Sequence, residues 1–179
     1  MRLSWRGGVA ALEPRLLIVD DKDDVRGVMC AYVRRCGYAC ETAASAEDAL
    51  VMLASAPFDV VITDIELPSG MRGLELTQLV KRDYQADVIV MTGYSSDYSY
   101  EESIRLGASD FIIKPFRTEE LLLRVRRVLR ERELTEERNR MMEKLQKLAV
   151  TDGLTSLFNS RHFYTLLELE VARSNRYKH

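Results

Sequence analysis

The chain has 179 residues, 46% of them hydrophobic and 30% charged, and a net charge of −2. That balance excludes a disordered chain, and the small negative charge argues against a protein-wide nucleic-acid surface. No apolar run approaches the roughly 20 residues needed to span a bilayer, which argues against a membrane partner.

Residues 1–14 carry Arg2, Trp5, Arg6 and the Gly7-Gly8 pair but no signal-peptide core, and read as a loose tail. Cys30, Cys36 and Cys40 show no metal-like pairing with His162 or His179. Reduced thiols in a cytoplasmic protein are the expectation.

Leu16 to Val19 is a short apolar run ending in Asp20-Asp21, a first buried strand. Val25, Val28, Met29, Tyr32 and Val33 follow at helical spacing, and Gly37 stands where a C-cap glycine belongs. Tyr38 to Thr42 predicts a second strand. Ser45 opens a second helix with a capping-box-like start, and Pro57 closes it. Val60, Val61 and Ile62 form a third strand, apolar on both faces, that ends on Asp64. A loop from Pro68 to Gly73 leads to a third helix marked by Leu74, Leu76, Leu79 and Val80. Val88 to Met91 is the fourth strand, ending at Thr92-Gly93. A polar, tyrosine-rich fourth helix then runs to Gly107. Phe111 to Ile113 is the fifth strand, ending at Lys114-Pro115.

Strands and helices alternating in this way predict an α/β fold, a parallel sheet covered on both faces. Right-handed crossovers favour the flavodoxin-like strand order 2-1-3-4-5. The pattern changes at Thr118, a predicted N-cap followed by Glu119 and Glu120. Leu121, Leu122, Val125, Val128 and Leu129 suit a helix packed on the sheet, with no stop signal before about Val150. Such a helix is about 48 Å long. Glu120/Arg124, Glu136/Arg140 and Glu143/Lys147 have the spacing and orientation of supporting ion pairs. Leu134, Met141, Leu145 and Leu148 continue a 3-4 spacing that suits a self-associating coil.

A doubly wound sheet opens all its strand ends on one edge. Asp20, Asp21, Asp64, Thr92 and Lys114 therefore converge. Three crowded carboxylates invite a hard divalent cation such as Mg²⁺. A carboxylate beside it can act as nucleophile towards a phosphoryl group, with a lysine and a hydroxyl holding the remaining oxygens.

In these residues the stretch 15–130 resembles a two-component response-regulator receiver domain: Asp20-Asp21, Asp64 with Leu67-Pro68, Met91-Thr92-Gly93, and Phe111 with Lys114-Pro115-Phe116. The resemblance implies that Asp64 accepts phosphate from a histidine kinase or phosphotransfer protein. It implies Mg²⁺ held by Asp21, Asp64 and the backbone carbonyl of Glu66, with Asp20 acting mainly through water. Thr92 and Lys114 would hold phosphoryl oxygens. Phe111 takes the switch-aromatic position, and with Thr92 it would couple phosphorylation to the face made by the fourth helix, fifth strand and fifth helix. A cis bond before Pro115 is also implied. The loop from Asp64 to Gly73 is one residue longer than the commonest pattern. Glu66 and Tyr94 occupy positions at which the family tunes dephosphorylation.

Residues 118–150 then read as a linker helix. The segment 151–179 has a signature of its own. Thr151-Asp152-Gly153-Leu154-Thr155-Ser156-Leu157-Phe158-Asn159-Ser160-Arg161-His162-Phe163 resembles the opening motif of GGDEF diguanylate cyclase domains, with Ser160 in place of the usual first arginine. Phe163, Leu166, Leu167, Leu169 and Val171 give a following helix. The nucleotide-binding parts of that family are absent from these residues, so the chain itself is not expected to be a cyclase. The expectation is a phosphorylation-controlled, dimeric regulator carrying the truncated start of a cyclase domain.

Two alternatives belong to other classes. Asp21-Lys22-Asp23-Asp24-Val25 matches the Asp-x-Asp-x-Val pattern of haloacid-dehalogenase-like phosphohydrolases, which would make Asp21 and Asp23 the working pair. That reading leaves Asp64 unexplained. A receiver with a nucleic-acid output is the other, but no recognition-helix pair is visible after residue 130 and the long helix has only a weak basic excess.

Overall fold

The computed structural model describes residues 13–67, 70–93, 106–150, 155 and 157–177. Most of the predicted tail, Pro68, Tyr94, the predicted fourth helix between Tyr94 and Gly107, and Thr151 to Leu154 lie outside the described residues. The chain divides into two compact units, Met1–Arg130 and Glu131–His179.

In the first unit five strands form one parallel sheet: β1 (Arg15–Val19), β2 (Ala39–Ala43), β3 (Val60–Asp64), β4 (Asp87–Gly93) and β5 (Asp110–Lys114). Their order is β2-β1-β3-β4-β5, as expected. The helices between them are α1 (Asp23–Arg35), α2 (Ala46–Ser55) and α3 (Gly73–Asp83), and α4 (Thr118–Val150) follows β5. Every residue of β3 is buried, as the central strand of a two-sided parallel sheet must be.

Alternation along the strands sorts the core into two layers. Leu17, Val19, Val61, Val88 and Val90 pack with Ala46, Ala49 and Leu53 of α2 and Leu74, Leu76 and Val80 of α3. Leu16, Ile18, Val60, Ile62, Ile89, Met91 and Ile112 pack with Met29, Cys30 and Val33 of α1 and Leu121, Val125 and Val128 of α4. Burying each Val, Leu, Ile or Met of these layers contributes about 1.5–3 kcal/mol.

The local signals act through identifiable bonds. Gly37 has φ 93, the left-handed conformation that glycine adopts without strain. There its N–H donates to Arg34 O at 3.0 Å, while the Tyr38 N–H donates to Val33 O at 3.3 Å. Ser45 Oγ accepts the Asp48 N–H at 3.1 Å and caps α2. Several boundaries differ by a residue or two from the sequence reading, and two of them have a visible cause. β2 ends at Ala43, whose carbonyl accepts the Asp20 N–H at 3.3 Å. Thr118 is the first helical residue and not the cap, because Arg117 O accepts the first bonds of α4 from Glu120 and Leu121.

α4 is continuous over 33 residues. Its Glu120–Arg124 and Glu136–Arg140 pairs both close at 3.2 Å. In the second unit Leu134, Met141, Leu145 and Leu148 of α4 are exposed, as are Phe163, Leu167 and Leu169 of α5 (Ser160–Tyr177). Asn159 joins these helices. Its Nδ2 donates to Ala149 O at 2.7 Å, and its Oδ1 accepts the His162 N–H at 2.9 Å. No helix among the described residues is long and apolar enough to cross a membrane.

Candidate functional site

Register brings the predicted residues together. β3 pairs with β1 so that Thr63 lies opposite Val19, which sets Asp64 level with Asp20. Gly93 lies opposite Lys114. By strand alternation Asp20, Asp64 and Lys114 share the layer of Ile18, Ile62 and Ile112, on the α1 and α4 side. Lys114 Nζ lies 2.7 Å from Asp20 Oδ2 and 2.6 Å from Asp64 Oδ2, bridging the ends of three strands. The Lys22 N–H donates to Asp20 Oδ1 at 2.9 Å and the Glu66 N–H to Asp64 Oδ1 at 3.3 Å. The peptide bond between Lys114 and Pro115 is cis.

Burial sets the electrostatics. Asp20 and Asp64 are 0% and 6% exposed. Burial raises the Asp64 pKa above its ordinary value; Lys114 opposes this and the Asp20 charge adds to it. Burial also works against the Lys114 ammonium, but its hydrogen bonds to the two carboxylates outweigh that and raise its pKa. The contrast follows from position: the Lys114 side chain is 25% exposed and the Asp64 side chain 9%. Lys114 thus remains charged between two acids, one of which is costly to ionise.

Oxygens of Asp20, Asp21 and Asp64 all lie within 4.8 Å of one another. Three carboxylates with no sulfur or nitrogen donor fit Mg²⁺ by chemistry and spacing. Asp23, which the phosphohydrolase alternative requires, pairs with Arg26 instead, outside that carboxylate group. Thr92 is half-buried near the end of β4, one position beyond Met91, the partner of Asp64 in the sheet. Phe111 pairs with Val90 and packs in the opposite layer, on the α2 and α3 side. Thr92 shares that side by alternation.

Several residues were not singled out by the sequence. Asp110, 2% exposed, meets Arg124 Nη1 at 3.0 Å and Arg127 Nη2 at 2.7 Å. The Arg124 guanidinium also stands 5.5 Å over the Phe111 ring. Gly73 packs on the backbone of Asp64, and Glu47 Oε1 accepts the Met71 N–H at 2.9 Å. Arg124 and Arg127 recur at helical spacing, a signal readable only once the position of Asp110 is known.

The family model for the response regulator receiver domain matches residues 16–126. Among curated proteins, the chain is 34% identical over 125 residues to the transcriptional regulatory protein AfsQ1 of Streptomyces coelicolor, covering 69% of this chain and 55% of that protein. It is 35% identical over 116 residues to the heme response regulator HssR of Staphylococcus haemolyticus, covering 65% and 51%. The chain thus spans about half the length of these relatives. Among solved structures, the chemotaxis response regulator CheY4 of Vibrio cholerae superposes with a TM-score of 0.60 at 32% identity, covering 65% of this chain and 99% of that one. NtrX from Brucella abortus, solved in complex with ATP, gives 0.66 at 30% identity, covering 72% and 29%. The matched region contains the sheet from Leu16 onwards and the carboxylate–lysine cluster at its edge, and through it the chain belongs to the response regulator receiver domain family.

Proposed function

We propose that the chain is the input half of a phosphorelay response regulator with Asp64 as phosphoacceptor. The observation that carries this is Lys114 Nζ bridging Asp20 and Asp64 at 2.7 and 2.6 Å, beside Asp21. An Asp64 oxygen attacks the phosphorus of a phosphohistidine on a kinase or phosphotransfer protein; the P–O bond forms as the P–N bond breaks. Lys114 and the Thr92 hydroxyl then hold phosphoryl oxygens. Asp20, Asp21, Asp64 and the Glu66 carbonyl would hold Mg²⁺, which when bound neutralises charge on the transferring group. As Thr92 turns towards the phosphoryl group, Phe111 on the same side of the sheet carries the change to β5 and the helix after it. Incubation with Mg²⁺ and a small acyl phosphate is expected to give an acid-stable, base-labile adduct that Asp64→Asn abolishes. A label on Asp21 instead would overturn the assignment.

For the output we infer a GGDEF-type cyclase domain, of which residues 151–179 are the start. Support comes from the motif residue Asn159, which donates to the Ala149 carbonyl and accepts the His162 N–H. Curated relatives named as transcriptional regulators make a nucleic-acid output the rival. The whole protein carrying this chain should make a cyclic dinucleotide from GTP and show no salt-sensitive affinity for duplex DNA; the reverse result favours the rival. The exposed apolar residues of α4 support dimerisation, which we propose is driven by phosphorylation of a cytoplasmic protein. Sedimentation with and without beryllofluoride tests it, and an unchanged mass across a wide concentration range counts against it.

A further inference from the structure

Residues 65–72 connect the phosphoacceptor strand to α3. The base of this loop is closed, because the Gly73 N–H donates to Ile65 O at 3.2 Å. Its outer side is tied to a different element. The Met71 N–H donates at 2.9 Å to Glu47 Oε1, on the first turn of α2. Gly70 adopts φ 77 alongside the same carboxylate, so close that a Cβ there would lie 2.2 Å from Glu47 Oε1. The adjacent Arg72 N–H is held by Glu75 Oε2 at 3.2 Å. Two carboxylates thus hold two consecutive loop amides, those of Met71 and Arg72.

Glu47 lies in the first turn of α2, where an acid is favourable, and its carboxylate also meets its own backbone N–H and the Ser45 hydroxyl. Ser45 Oγ caps α2 by accepting the Asp48 N–H. The Met71 N–H lowers the Glu47 pKa, so the carboxylate is a charged acceptor at neutral pH and its bond to the loop is charge-assisted.

Glu66 lies inside this loop, and its N–H donates to Asp64 Oδ1 at 3.3 Å. An untied loop must be ordered when a cation binds, and that ordering weakens binding.

We propose that Glu47 is a positioning residue for the cation site: by holding Met71 it fixes the loop that presents the Glu66 carbonyl. This inference rests on the phosphoacceptor reading given above. The test is calorimetric titration of the full chain with Mg²⁺, for wild type, Glu47→Ala and Glu47→Gln. The amide of a glutamine can still accept the Met71 N–H. Glu47→Ala is expected to bind Mg²⁺ about threefold to tenfold more weakly, in line with the loss of one hydrogen bond. Glu47→Gln should recover most of the affinity, and hydrogen exchange at Met71 should quicken in Glu47→Ala alone. Equal affinity in wild type and Glu47→Ala overturns the inference and leaves the phosphoacceptor reading standing. Equal weakening in both variants also overturns it, since charge and not the bond would then be responsible. Failure of the wild type to bind Mg²⁺ overturns the site reading and this inference with it.

Discussion

Gly73 stands so close to Asp64 that a Cβ on it would lie 1.8 Å from the Asp64 carbonyl oxygen and 2.7 Å from its carbonyl carbon. Both atoms are backbone at the end of β3, so neither can swing away. The start of α3 is thereby seated directly on the proposed phosphoacceptor. Gly73→Ala is expected to lower stability by about 3 kcal/mol or more, at the upper end of overpacking costs. It should also slow adduct formation at Asp64. Denaturant unfolding and acyl phosphate labelling measure the two effects; full stability in the variant would refute the close approach.

The raised Asp64 pKa has a pH signature. A folded-state pKa above the ordinary 3.8 means the folded chain holds that proton more tightly than the unfolded chain. Its contribution to stability is fully present below 3.8 and is lost as pH rises through the folded value. At neutral pH an ionised Asp64 is therefore a cost to folding. Asp64→Asn should be more stable than wild type at pH 7, by an amount on the order of 1 kcal/mol. The difference should shrink on acidification through the carboxylate range. Paired denaturation curves at neutral and acid pH decide it, and a destabilised Asp64→Asn at pH 7 would contradict it.

Asp110 offers the opposite case, a buried acid at the start of β5 with two arginines of α4. Removing it leaves Arg124 facing a buried gap and removes the bond that Asp110 Oδ1 accepts from the Phe111 N–H at 2.8 Å. Asp110→Ala should cost about 3 kcal/mol. Arg127, with its side chain 55% exposed, should cost under about 1 kcal/mol when changed to alanine. Equal losses from the two substitutions would show that Asp110 is not the buried anchor.

Asn159 satisfies groups on two helices at once. Asn159→Ala removes both side-chain bonds and should lower stability of the second unit by about 1 kcal/mol, with loss of helical circular dichroism. Asn159→Asp keeps an acceptor for the His162 N–H and loses the donor to Ala149 O. It should fall between the two, and an aspartate variant as weak as alanine would assign the whole effect to the α4 carbonyl.

The sheet was legible in the sequence because both of its faces are covered. Runs such as Leu16–Val19 and Val60–Ile62 are apolar throughout, and each ends on a residue with chemistry. The convergence of Asp20, Asp64 and Lys114 followed from the parallel topology alone. What the sequence hid were contacts made across the fold by side chains with an obvious local role. Glu47 reads as a first-turn acid of α2, and its carboxylate goes to Met71. Arg124 reads as the partner of Glu120, and it also reaches Asp110 and Phe111. Gly73 reads as a loop residue, and only the approach of two backbones shows why no side chain fits. Thr118 was misread by one position because a threonine before two glutamates resembles a cap, although the Arg117 carbonyl takes that role.

The two units differ in how their side chains are shielded, and a protease would register the difference. Beyond Arg130, Arg138, Arg140, Lys144 and Lys147 lie on an exposed stretch of helix. The strands that carry Asp20 and Asp64 offer no such opening, since their backbones are buried and paired on both sides. Trypsin should therefore trim the chain towards Arg130 and leave a fragment that still takes up phosphate, separating the part that receives the signal from the part that passes it on.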